Sequence, residues 1–416
     1  MKRFLAIIIF MLVFLQGTCK AQDVNFIYIH GTNDNNYAKK QEFSKSVAEL
    51  HPYIKKAFEN DPLAKKHFLR DGYYVIDSEP IAFYWGDRSK EDLNLMVDWL
   101  DITKFFSPKL AQSVRSTLTY TLHDAIWIQK YNNMRPVVRN LHSIINYSVD
   151  QNEDKFVLFG HSAGSFITFE YLLYKLPMID PIDFLRQRKV SEARLMEYKK
   201  IYSKNTCVDG LLLSGIANYL RDGSFVLVDR DHLTENYKNM ANVTKDACVA
   251  DGSLKGIVLF GTPVTLFYSG FNMSSSKLYL HLLKYIIENN MFLISVNYAE
   301  DPLGFPISTN DNYDLIATFQ DKYDCTIKPN HGFLYDKSNI RSNKFVASAH
   351  TSYWKTPKLF SKSIIEAYNE GYGSYYVNAI RKKETSDSDA ITDLELLQES
   401  KKLYTPQRKR IFIRAR

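Results

Sequence analysis

Residues 156–164 read Phe-Val-Leu-Phe-Gly-His-Ser-Ala-Gly, and no other stretch constrains the fold as much. The four apolar residues Phe156–Phe159 have the length and composition of a strand buried on both faces. The next five, Gly160-His161-Ser162-Ala163-Gly164, set a serine between two glycines. A serine held on a sharp strand-to-helix turn forces the strand before it and the helix after it into close approach. Glycine at both flanks removes the Cβ atoms that would collide. The run from Ser165 to Leu173 is mostly apolar and suits a buried helix that ends before Pro177. This strand–turn–helix setting makes Ser162 a candidate nucleophile. The bland alternative is a glycine-rich loop carrying a surface serine.

A buried parallel strand needs partners, and the sequence offers them. Val24–Ile29 runs into His30-Gly31-Thr32, and Tyr73–Ile76 reads as a short edge strand. Pro80–Asp87, Lys255–Phe260 and Met291–Asn297 read as further strands, and Lys344–Ala347 as the last one. Helical stretches separate them, among them Leu278–Glu288 and a terminal helix from Leu359 to Tyr368. Strands alternating with helices predict an α/β fold with a mostly parallel, doubly wound sheet.

A serine hydroxyl is a weak nucleophile at neutral pH. It needs a histidine to take its proton and a carboxylate to orient that histidine. Asp301 follows the strand that ends at Asn297, in a tight Asp-Pro-Leu-Gly loop, with Glu300 as its rival and Asp311 and Asp314 further away. His350 follows the expected last strand, and His331 competes with it. The oxyanion of an acyl-transfer intermediate needs two fixed backbone donors. Ala163 at the start of the elbow helix supplies one, where the helix dipole also favours negative charge. Thr32 after the first strand is the candidate for the other.

Taken together, His30-Gly31-Thr32, Gly160–Gly164, Asn297…Asp301-Pro302 and His350…Tyr353-Trp354 resemble the α/β-hydrolase superfamily, in particular its lipase and serine-esterase members. Tyr84-Trp85-Gly86-Asp87 and Phe260-Gly261-Thr262-Pro263 are similar to what such proteins carry at neighbouring core strands. The resemblance spans residues 24 to about 370. Family members often begin with two further strands. The resemblance therefore implies a compact variant of about six core strands lacking the first two, with helical insertions near 90–147 and 185–250.

The activity implied is hydrolysis of carboxylic esters through an acyl-enzyme, with no cofactor and no metal. Peptidase, thioesterase and acyltransferase chemistry run on the same fold, and a non-catalytic binding protein is the remaining alternative. Phe267, Tyr268, Phe271, Phe305, Tyr353 and Trp354 would suit an apolar acyl pocket, although aromatic residues so placed often serve plain packing.

The chain's 416 residues, 45% of them hydrophobic, suffice for one large core with insertions or for two modest domains. The net charge of +7 is spread along the chain, which permits weak attraction to anionic membranes and gives nucleic-acid binding no motif. Arg186–Lys204, with seven Lys/Arg against two Glu, reads as a solvated helix or as part of a lid. Lys2 and Arg3 precede twelve apolar residues, Phe4–Leu15, and small residues lead to Ala21. That is the pattern of an export signal removed after Ala21, and it is shorter than the ~20 residues of a membrane span. Lipidation at Cys19 is the alternative. An oxidising compartment would let Cys207 pair with Cys248 and leave Cys325 free. Asn146, Asn242 and Asn272 lie in glycosylation sequons, used only in a eukaryotic secretory route. From Glu384 to Arg416 the chain reads as a poorly ordered tail with a basic end.

Overall fold

Strand β4 (Lys155–His161) carries the apolar run, and both its faces are buried. Phe156 and Leu158 enter one hydrophobic core, Val157 and Phe159 the other. Successive strand residues point to opposite faces, so a continuous apolar strand must be covered on both sides. The computed structural model describes residues 22–31, 37–89, 131–150, 153–175, 253–268, 289–307 and 332–381, with short pieces at 93–94, 97–98, 123–124, 126–128, 190–196 and 285–286.

Six further strands join β4: β1 (Gln22–Ile29), β2 (Tyr74–Ile76), β3 (Ile81–Phe83), β5 (Leu254–Phe260), β6 (Phe292–Tyr298) and β7 (Phe333–Ile340). Every pairing is parallel. The order is β2-β1-β4-β5-β6-β7, with β3 also on β1. β2 pairs with Gln22–Val24 and β3 with Ile27–Ile29. The two short strands thus share one edge of β1, and the seven strands fill six places across the sheet. The chain winds outward from β1 in both directions, so the topological switch falls between β1 and β4. Crevices at such switch points, outside the strands' carboxyl ends, are where open parallel sheets bind ligands.

Helices cover both faces. On one lie α1 (Tyr37–Asn60), α2 (Pro62–His67) and the long α8 (Pro357–Arg381), whose Phe43, Ile54, Phe58, Ile364 and Tyr368 pack with Phe26 and Phe159. On the other lie α3 (Tyr131–Ser148) and α4 (Ala163–Lys175), burying Val137, Leu141 and Ile167 against Leu158 and Ile257. Residues 131–147, expected within an insertion, are therefore part of a core helix. Of the expected insertion at 185–250, only 190–196 falls within the described residues. The export signal, the four cysteines, Asn242, Asn272 and the tail from 384 onward lie outside them.

The last strand differs from the sequence reading. β7 spans Phe333–Ile340, while the segment expected as a strand, Lys344–Ala347, leads into a single helical turn, α6 (Val346–Ala349), which in chain order follows the short α5 (Val264–Tyr268) and precedes the short α7 (Ser352–Lys355). Phe345 is 82% exposed there, so its apolar run is not a core signal. β7 is an edge strand bonded to β6 alone. Its middle residues Asp336, Lys337 and Ser338 are half-buried and meet the Ile307 N–H, Glu370 and Asn297, so the strand lacks the apolar run of a central one.

Candidate active site

Ser162 follows β4 directly and adopts φ +54°, the left-handed region that non-glycine residues rarely occupy. Its N–H donates to the Phe260 carbonyl at 3.1 Å, which ties the turn to β5. The flanking glycines answer to contact. A Cβ on Gly164 would lie 2.3 Å from the Ile29 carbonyl oxygen, and one on Gly160 would lie 2.7 Å from the Ser165 Cα. Helix α4 begins against the end of β1, so Ser162 is delivered at the carboxyl edge of the sheet, beside the switch point. Ala163 is the first residue of α4, and its N–H has no carbonyl one turn back to bind.

The carboxyl ends of β6 and β7 bring the other candidates to the same place. His350 Nε2 lies 2.9 Å from Ser162 Oγ, and His350 Nδ1 lies 2.9 and 3.1 Å from the two oxygens of Asp301. The carboxylate can only accept, so Nδ1 carries the proton and Nε2 faces the serine as a base. The Asp301 side chain is fully buried while that of His350 retains 18% exposure. Burial works to raise the Asp301 pKa, but hydrogen bonds and charge attraction from His350, the Leu303 N–H and the Tyr353 hydroxyl outweigh it and hold the carboxyl below its ordinary range.

Asp301 is over-determined by its surroundings. Leu303 N–H donates to Oδ1 at 2.9 Å and Tyr353 Oη–H to Oδ2 at 2.8 Å. Tyr353 Oη in turn accepts the Tyr298 N–H at 2.9 Å, and the two tyrosine rings stack 4.1 Å apart at 5°. Tyr353 is wholly buried beneath the site. It orients the carboxylate instead of lining an acyl pocket, a correction to the sequence reading. Trp354 likewise packs inward, against His161 and Phe43. Glu300, the rival carboxylate, turns away and accepts the Ser342 N–H and Oγ–H, each at 3.0 Å. It ties down the loop that carries the chain from β7 toward His350.

Two further side chains brace the neighbouring loops. Asn297 accepts the Thr262 N–H and donates to the Phe305 carbonyl and to Ser338, linking the ends of β5, β6 and β7. Trp85 Nε1–H donates to the His30 carbonyl at 2.7 Å, fixing the exit of β1. That exit runs hard against the serine turn, since a Cβ on Gly31 would stand 2.8 Å from Ser162 Cβ. Thr32, the expected second oxyanion donor, lies outside the described residues, as do His331, Asp311 and Asp314. So does Phe271, and Phe305 is partly exposed.

His161 is the functional candidate that sequence reasoning passed over. Its Nε2 meets the His350 carbonyl at 2.9 Å and its Nδ1 lies 3.4 Å from Trp354 Nε1. Burial, joined by the nearby His350, lowers its pKa to about 3. The second position of Gly160–Gly164, between glycine and serine, carries no pattern in the sequence that would predict this. Among the described residues, no group of His, Cys, Asp and Glu is arranged to hold a metal ion. No helix there is long and apolar enough to cross a membrane.

No protein-family model, characterised protein or solved structure matches the chain, so the geometry and the chemistry of these residues carry the functional reading.

Proposed function

We propose that this protein is an exported serine hydrolase with an α/β-hydrolase fold, cleaving carboxylic esters through an acyl-enzyme. One observation carries the reading. A serine, a histidine and an aspartate from three separate loops meet in a single hydrogen-bonded line, Ser162 Oγ to His350 Nε2 and His350 Nδ1 to Asp301. Their chain order, Ser, Asp, His, is the order this fold uses. The parallel sheet of six positions, with the serine at the end of a central strand, supports the fold assignment.

In the proposed reaction Ser162 Oγ attacks the acyl carbon as its proton passes to His350 Nε2. Asp301 stabilises the resulting imidazolium, and the Ala163 N–H faces the oxyanion. Collapse breaks the bond to the alcohol, which leaves with the proton from His350. Water then attacks the acyl-serine, giving its proton to His350 in turn, and the acid departs as Ser162 regains its hydrogen.

Hydrolysis of p-nitrophenyl esters from acetate to palmitate tests the reading, with Ser162→Ala as the blank and fluorophosphonate labelling of Ser162 as an independent readout. A Ser162-dependent profile with stoichiometric labelling is expected. Unlabelled wild-type protein would overturn the proposal.

A further inference from the structure

His161 has a fixed tautomer, and the fixing is legible from its two partners. A backbone carbonyl can only accept, so the ring nitrogen facing His350 O carries the hydrogen, and an indole N–H can only donate, so the nitrogen facing Trp354 carries the lone pair. Both polar atoms of a buried ring are thus engaged with groups that cannot exchange roles. The ring itself lies between Phe260, stacked at 5.0 Å, and the His350 imidazole at 4.9 Å, with Tyr353 and Trp354 meeting it edge-on.

The bond to the His350 carbonyl spans 189 residues of sequence. It joins the residue immediately before the nucleophile to the backbone of the residue that must take the nucleophile's proton. His350 stands at the end of a single helical turn, α6, in which Ala349 is buried and Val346 is exposed. Three further attachments hold the residue itself: Asp301 at Nδ1, Ser162 at Nε2, and His161 at the main chain.

We infer that His161 is a positioning residue: its Nε2–H, presented from the nucleophile turn itself, holds the His350 main chain so that serine and base keep one separation. The inference rests on the triad reading and deepens it. A base displaced by about 1 Å costs on the order of 100-fold in rate, and a clamp built into the nucleophile turn moves with the serine. Because Nδ1 already accepts from Trp354, His161 also offers no free site to compete with His350 for the serine proton.

The test replaces His161 by two residues of opposite hydrogen-bonding capacity. In His161→Gln the side-chain amide reaches to the same distance and can still donate to the His350 carbonyl, whereas His161→Leu fills the space without a donor. The rate of Ser162 labelling by a fluorophosphonate is the first readout, since it requires no knowledge of the natural ester. His161→Leu is expected to label on the order of 10- to 100-fold more slowly, and His161→Gln within a few fold of wild type. The urea midpoints of the two variants should be compared, so that a Leu variant that fails to fold is recognised and the Gln variant then carries the comparison against wild type.

The second readout is independent of activity. The low-field proton resonance of the His350 Nδ1–H···Asp301 bond should persist in His161→Gln and broaden or vanish in His161→Leu. Equal labelling of Leu variant and wild type, equal slowing of both variants, or an unaltered low-field signal in His161→Leu would each overturn the inference. Wild-type protein that fails to label while the low-field signal responds as expected would instead count against the proposed hydrolase, with the clamp intact.

Discussion

Ser162 holds its hydroxyl at the sheet edge through backbone strain. At φ +54° a residue with a Cβ sits in a region that costs about 1–2 kcal/mol relative to ordinary backbone. Ser162→Ala and Ser162→Gly should both abolish hydrolysis, but they should differ in stability. Alanine keeps the strain, while glycine releases it and should raise the unfolding free energy by about 1 kcal/mol over alanine, read from urea midpoints at a common slope. Asp301 makes the complementary case. Its carboxylate accepts from His350, Leu303 and Tyr353, so Asp301→Asn presents an amide donor where only an acceptor fits and favours the wrong histidine tautomer. A fall in kcat of about 10³- to 10⁴-fold is expected, with KM for a p-nitrophenyl ester little changed. A loss confined to KM would place Asp301 in substrate binding instead.

At the scale of elements, the site depends on how closely α4 approaches β1. Gly164→Ala would press a methyl group against the Ile29 and His30 carbonyl oxygens, at 2.3 and 2.7 Å. Both contacts are with backbone, which cannot rotate aside, so strand and helix must part. A loss of about 1–3 kcal/mol is expected, together with slower Ser162 labelling, because the turn that aims the serine moves with the helix. Normal stability and labelling would mean that β1 and α4 are not held together as described.

The same elements explain what could be read in advance. β4, β5 and β6 are central and covered on both faces, and each therefore carries an apolar run, Phe156–Phe159, Ile257–Phe260 and Phe292–Ile294. In the motif at the end of β4, Gly160 is required by contacts within its own turn, with Ser165 and Gly164, while Gly164 is required by the distant β1. Asp301 was legible because it follows the end of β6, whereas the expectation for His350 rested on a strand at Lys344–Ala347 that is instead the lead into α6. β7 was not legible, because its middle residues Asp336, Lys337 and Ser338 are polar and find their partners on Ile307, Glu370 and Asn297, outside the strand. The short exposed run at Phe345 and Val346 imitated the strand that β7 supplies. Tyr353 and His161 act through contacts 52 and 189 residues away along the chain, which local pattern does not encode.

Over the whole molecule, the buried histidines set how the fold answers to acid. Burial lowers the pKa of His161 to about 3 and of His30 to about 4, and it also lowers that of His51, whose ring bridges Tyr28 and the Asp77 carbonyl. In the unfolded chain each titrates near 6.5. Above that pH neither state binds the protons, and the stabilisation is fully present. Between about 6.5 and 4 the unfolded chain takes up protons that the folded interior refuses, so stability falls as pH falls. Each histidine that stays neutral in the fold contributes a slope of up to about 1.4 kcal/mol per pH unit in that window. Asp301 adds to the loss only lower, as the pH approaches its depressed carboxyl pKa, so the histidine window is separable from it. Urea unfolding from pH 7.5 to 4.5 should therefore show a midpoint that is flat at first and then declines below about 6.5. His161→Gln removes one of these groups and should shallow the decline by close to one proton's worth, while keeping the donor to His350. A slope unchanged by that substitution would mean that His161 takes up its proton in the folded state, and the interior that holds the triad would then be wetter than its burial implies.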